Sequence, residues 1–141
     1  MKMSLSRFMY LTAPEGSREK VADENTWRFV GIRPRIICAD GFSMSVQASE
    51  SHYCSPRTTY SSDDFVNGIP YGFVEIGFPS AHEDSLQSYI DGDTEPDGTR
   101  TMQMNSVFAY VPLVIVTDIV HAHGDIDYVK TVRLPSEEKI V

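Results

Sequence analysis

Apolar and polar residues alternate most cleanly between Phe42 and Ser49. Phe42, Met44, Val46 and Ala48 are apolar, and Ser43, Ser45, Gln47 and Ser49 fall between them. A period of two predicts a strand with one face in a core. The opposite face is unusual. A strand face that only met water would normally carry Lys, Glu, Arg or Thr, but this one offers three hydroxyls and an amide with no charge. Uncharged polar groups can be satisfied by neighbours when covered, whereas a covered charge without a partner is costly.

Asp40-Gly41 precedes this stretch. An Asp-Gly pair between two β-rich runs predicts a type I′ hairpin, because Gly accepts positive φ without steric cost. The partner is Arg35–Ala39. A two-residue loop would set Ala39 opposite Phe42, Ile37 opposite Met44, Cys38 opposite Ser43 and Ile36 opposite Ser45. Asn67-Gly68 repeats the signal and predicts a short hairpin from Phe65-Val66 to Ile69, at an edge because Pro70 cannot donate to a ladder. Tyr71–Phe78 (YGFVEIGF) reads as a central strand and Arg100–Val111 as another. Ile126–Leu134 places Ile126, Tyr128, Val132 and Leu134 on one side, and Trp27–Ile32 adds a further strand.

Two helices are expected. Ser80-Ala-His-Glu83 matches a capping box ahead of Ala81–Ile90. The second starts at Pro112, suited to a first helical position, and stops before Gly124, a good residue just past a helix end. Leu113, Val116, Ile119 and Val120 form its buried stripe. The sum is an α+β fold: a single domain with an antiparallel sheet of about five to six strands and two short helices. Residues 1–25 read as an N-terminal arm or edge element, 26–134 as the core, and 135–141 as a tail.

Composition narrows the function classes. At 41% hydrophobic residues the chain can build a core, and its 141 residues suit one domain. A net charge of −8 argues against direct nucleic-acid binding, which needs clustered cations. Two cysteines, Cys38 and Cys54, are too few for a disulfide scaffold. No apolar run is long enough for a signal peptide or a bilayer span, so no membrane partner is expected and a cytoplasmic location is.

Candidate chemistry is sparse. Asp91, Asp93, Glu95 and Asp97 invite a calcium reading, but counting from Asp91 puts Pro96 where the loop needs Gly. Counting from Asp93 fits Gly98 but puts Met104 where a bidentate Glu belongs. His52-x-Cys54 and His121-x-His123 with Cys38 lack the spacing of a structural zinc site. Metal and cofactor are therefore not expected. Cys54 with His52 and Glu75 could be drawn as a thiol triad, and Ser43 or Ser55 with a histidine as a serine one, but no nucleophile elbow or phosphate loop accompanies them. A small Cys- or Ser-dependent hydrolase remains an alternative.

The serine face runs directly into SHYCSPR. Ser43, Ser45, Gln47, Ser49, His52, Tyr53, Ser55 and Arg57 together supply donors, acceptors, flat rings and one guanidinium fork. This is the repertoire for holding a small polar or anionic ligand, or a partner's backbone. The same face would also suit a seam between copies, so a homo-oligomer is expected.

RPRIICADGFSMSVQASESHYCSPR, with YGFVEIGFPS and VFAYVPLVIVTDIVHAHGDI, resembles a group of small uncharacterised proteins of tailed bacteriophages and prophages. The resemblance spans about Arg33–Ile126 and carries a setting without an established activity. It implies a non-enzymatic accessory protein that acts in the infected host cytoplasm, through host takeover or counter-defence. Its partner would be a small anionic, nucleotide-like ligand or a host defence protein. A virion or assembly component is the other reading.

Overall fold

A four-stranded antiparallel sheet organises the chain. The computed structural model describes residues 1–14, 32–92 and 103–131. Strands β2 (Ile36–Ile37), β3 (Ser43–Gln47), β4 (Phe73–Gly77) and β5 (Val107–Pro112) lie in that order. A second sheet pairs β1 (Lys2–Met3) with β6 (Ile126–Asp127). Helices α1 (Leu5–Leu11), α2 (Leu113–Ala122) and α3 (Tyr128–Thr131) complete the described regular structure, with short 3-10 turns between strands. Six strands, all paired antiparallel, with helices make this an α+β fold, as the pattern predicts.

Period-two alternation in β3 places Met44 and Val46 in the core, each fully buried. Val74, Ile76, Phe108 and Val111 from β4 and β5 are equally buried. Helix α2 buries Val116, Ile119 and Val120, with Leu113 packed at the margin. It stops at Gly124, whose φ of +89° suits glycine and whose added Cβ would meet the Ala39 Cβ at 3.0 Å. Both conditions exclude a side chain there.

The hairpin exists, but its register differs by one residue from the expected one. Ile36 pairs with Met44 and Ile37 with Ser43. Cys38 N–H donates to Phe42 O at 2.7 Å and Gly41 N–H to Cys38 O at 2.9 Å. The loop is therefore three residues, Ala39-Asp40-Gly41, with Gly41 at φ +97°. The reason is tertiary. The Ala39 and Asp40 amides donate to Asp125 O and His123 O at the end of α2, so they are unavailable to a two-residue turn.

Other expectations change as well. Asn67-Gly68 turns without strands: Gly68 N–H closes onto Phe65 O after a 3-10 turn at Ser62–Phe65. Ser80 does not cap a helix; its hydroxyl accepts from Ser43 N–H, and only a 3-10 turn, Asp84–Tyr89, follows. The strand at Ile126 ends at Asp127, because Asp127 Oδ1 accepts the Lys130 amide and starts α3. The predicted strand from Arg100 begins only at Val107, after a 3-10 turn at Gln103–Asn105. Of the two readings of the N-terminus, residues 1–14 fit the edge element and not a loose arm: β1 pairs with β6, and Leu5, Phe8 and Met9 of α1 belong to the core. Trp27, the acidic loop from Asp93 to Gly98, and Val132 and Leu134 lie outside the described residues, as does the tail.

Candidate functional site

The chain itself covers the Gln47–Ser49 end of the serine face, while Ser43 and Ser45 are half-buried. Gln47 is buried, and its side chain grips the Arg33 backbone at both ends: Oε1 accepts the Arg33 amide at 2.7 Å and Nε2 donates to Arg33 O at 2.8 Å. The same Nε2 donates to Ser45 Oγ at 3.0 Å. Ser43 Oγ accepts from Arg35 Nε at 2.9 Å. Ser49, also buried, pairs its hydroxyl with Ser51 Oγ and with His52 Nδ1 at 2.7 Å. These four residues meet internal partners, so the lack of charge has a packing explanation.

Arg33 drives this seam. Its guanidinium is buried, bonds to Thr12 Oγ1, Ala48 O and Met9 O, and stands 5.4 Å from the Phe65 ring centre. Burial pushes its pKa down to about 10, against opposing contributions from Tyr71 and Cys54. Replacing Gln47 with Ala would strip two buried backbone groups of Arg33 of their partner. The expected loss is about 2–6 kcal/mol, at ~1–3 kcal/mol for each of the two orphaned groups. A fall in the urea midpoint, with faster exchange of the Arg33 amide, would show it.

Beyond the seam, Tyr53 and the Ser55–Arg57 stretch stay open to solvent, while Cys54 between them is buried. Tyr53 and Tyr110 are 40% and 42% exposed, Phe73 is 41% exposed, and Arg57 is exposed. The Tyr53 and Tyr110 rings tilt at 40° with centres 6.1 Å apart, and the Arg57 guanidinium stands 5.8 Å from the Tyr53 ring centre. Three interactions hold this group. Ser55 bridges to Phe73, Glu75 Oε2 accepts the Tyr53 amide at 3.0 Å, and Tyr110 N–H donates to Tyr53 O at 3.1 Å.

The last bond depends on a bulge. Register slips between Val74–Val111 and Ile76–Phe108, which gives β5 one extra residue. Tyr110 absorbs it at φ 52°, a conformation costly for an aromatic residue. The bulge turns its amide to the Tyr53 loop rather than to β4. Sequence reasoning set Tyr53, Ser55 and Arg57 on a turn after the strand and brought Glu75 to this segment only as a member of a drawn thiol triad; it missed Tyr110 and Phe73. No sign of the bulge is legible in the sequence, because Val107–Val111 (VFAYV) is apolar throughout and shows no alternation for an extra residue to interrupt.

Nucleophilic chemistry finds little support in the geometry. Cys54 is buried, its thiol bonds to Ser49 O at 3.1 Å, and burial raises its pKa, the reverse of an activated thiol. His52 has its Nδ1 committed to Ser49, and burial, with help from Arg33 and Arg57, lowers its pKa despite Glu75. Among the described residues no three His, Cys, Asp or Glu side chains converge as a metal site would require. No described helix is long and apolar enough to cross a membrane. A separate cleft of about 400 Å³ is lined by Ser4, Ser6, Arg7, Tyr10, Phe65 and Val66, so it adjoins the Arg33 seam at Phe65 but includes neither Tyr53, Tyr110 nor Arg57.

The fold and this surface describe a small α+β protein with an exposed aromatic–arginine patch on one sheet face. No family model, no curated protein and no solved structure matches the chain.

Proposed function

We propose that this chain is a non-enzymatic accessory protein of a tailed bacteriophage or prophage, acting in the infected host cytoplasm by binding a small anionic, nucleotide-like ligand. The observation that carries the binding reading is the strained bulge at Tyr110, which positions Tyr110 beside Tyr53, with the Arg57 guanidinium over the Tyr53 ring. Strain of this kind persists where the surroundings enforce it, and it clusters at binding sites. Flat rings offer stacking to a base, and a guanidinium offers a fork to a phosphate or carboxylate. Arg57 is a local cation on a chain of net charge −8, so it gives an otherwise acidic molecule one place for an anion.

Within this reading, Tyr53, Tyr110 and Arg57 make the contacts, and Ser43, Ser45, Gln47 and Ser49 support the platform from inside. Sequestration in the service of counter-defence is the role that fits a binder lacking an activated nucleophile.

Native mass spectrometry of the protein isolated from infected cells, paired with calorimetric titration of adenosine monophosphate, tests the proposal. The wild type should retain a nucleotide-sized mass and bind the probe saturably. Arg57→Ala should keep the melting temperature and weaken binding by about tenfold or more, the worth of a charge-assisted hydrogen bond. Equal binding by Arg57→Ala, or no retained ligand and no saturable binding by the wild type, would overturn it.

A further inference from the structure

A second cluster, independent of the patch, sits at the C-terminal end of α2. The His123 ring stacks on Phe42 with centres 4.0 Å apart and planes 9° from parallel. Its Nδ1 meets Asp40 Oδ2 at 2.6 Å and its Nε2 meets Glu83 Oε2 at 3.0 Å. Ionised carboxylates only accept, so both ring nitrogens must donate, and only the imidazolium has two N–H groups. A helix C-terminus further favours a cation. Three separate segments meet here: the 39–41 hairpin loop, the chain at Glu83, and the end of α2.

The two carboxylates are not equivalent. The Asp40 loop has backbone ties to α2 besides the ring, through its own amide to His123 O and Ala39 N–H to Asp125 O. Glu83 has none to α2; its backbone is held by Gln103, whose Oε1 accepts the Glu83 amide and whose Nε2 donates to Glu83 O. After Glu83 comes the Asp84–Tyr89 turn, which leads to Ile90 bridging Phe108 and to the Asp91 amide on Val107 O. This segment covers the outer edge of β5, and uncovered edges are exposed to pairing with other chains.

We propose that His123 is a proton-operated latch, which as imidazolium fastens both Asp40 and Glu83 and on losing its Nε2 proton keeps Asp40 and releases Glu83. The released state leaves a ring lone pair facing the Glu83 carboxylate, so the contact turns repulsive and the 83–89 segment loosens. The other titratable groups around the ring are Cys38 and Asp125, His121 bonded to Asp125, and the His82–Asp84 pair flanking Glu83. Cys38 stays a neutral thiol here, since burial and the nearby carboxylates push its pKa up to about 11.

The direction of titration agrees with the geometry. Burial alone would lower the His123 pKa, but the bonds to Asp40 and Glu83 and their charges outweigh it and hold the ring above its ordinary 6.5. A raised value means that the latch is fully closed below the unfolded histidine value and lost as pH rises through the folded one. Asp40 runs the other way: the Phe42 amide and then His123 lower its pKa, so its contribution is lost only as pH falls through that lowered value.

Ring-nitrogen NMR of the full chain across the histidine titration range, with amide exchange on the same samples, tests the latch. His123 should titrate above 6.5, end as the Nδ1–H tautomer, and move downward in Glu83→Gln. The Leu86 amide, bonded to Glu83 O at 3.0 Å, should exchange about tenfold faster or more beyond that point after correction for intrinsic rate. Amides of Val46 and Ile76 should not follow. Titration at or below the ordinary histidine value, an Nε2–H neutral tautomer, or unchanged Leu86 protection would overturn the proposal.

Discussion

Val46→Asp is expected to abolish cooperative folding or to lower stability by about 3–5 kcal/mol, the cost of burying a charge without a partner. Val46 is fully buried in β3, opposite Ile76 of β4, itself fully buried. The carboxylate would meet apolar neighbours on that face, so it must either ionise uncompensated or remain protonated far above its ordinary pKa. Against a total stability of about 5–15 kcal/mol, either outcome removes much of the margin. Val114→Asp is the control, because Val114 is 63% exposed on α2. Thermal melts should separate the two sharply. A wild-type melting temperature for Val46→Asp would mean that β3 presents its other face to the core.

Phe8→Ala should be nearly as damaging, with an expected loss of about 3–5 kcal/mol from the transfer and cavity terms of a large aromatic side chain. Phe8 is fully buried beside Met9 in α1, and Thr12 at the helix end bonds to both the Phe8 carbonyl and the Arg33 side chain. The N-terminal helix is thus part of the same packing unit as the Arg33 seam. Tyr10→Ala, on the exposed side of the same helix, should cost far less. Urea midpoints for the pair would distinguish a core helix from a docked arm; equal midpoints would favour the arm.

Much of the candidate site was legible as residue chemistry but not as geometry. Tyr53 and Arg57 follow a strand and precede or follow Pro56, which is enough to place them on a turn. Nothing local to them points to Tyr110, because the two segments are far apart in sequence and meet through a hydrogen bond from the bulged Tyr110 N–H to Tyr53 O. His123 was readable as a histidine favoured by a helix end. Its two carboxylate partners come from loops 83 and 40 residues away in sequence and could not be paired with it from spacing.

The sequence by itself determined the local periodicities. Strict alternation from Phe42 to Ala48 places one face in the core, because side chains on a strand alternate whatever lies beyond it. Pro112 and Gly124 bracket α2, because one residue lacks the donor that a helix start does not need and the other accepts positive φ. Only the tertiary structure decided what competed for the backbone groups left over. The His123 and Asp125 carbonyls just past α2 took the loop amides and moved the hairpin by one register, Arg33 took the amide of Gln47 and closed that end of the serine face, and the Tyr53 loop took the bulged amide of Tyr110. A buried hydrogen-bonding group must find a partner somewhere, and which partner is within reach depends on segments that no local pattern brings together.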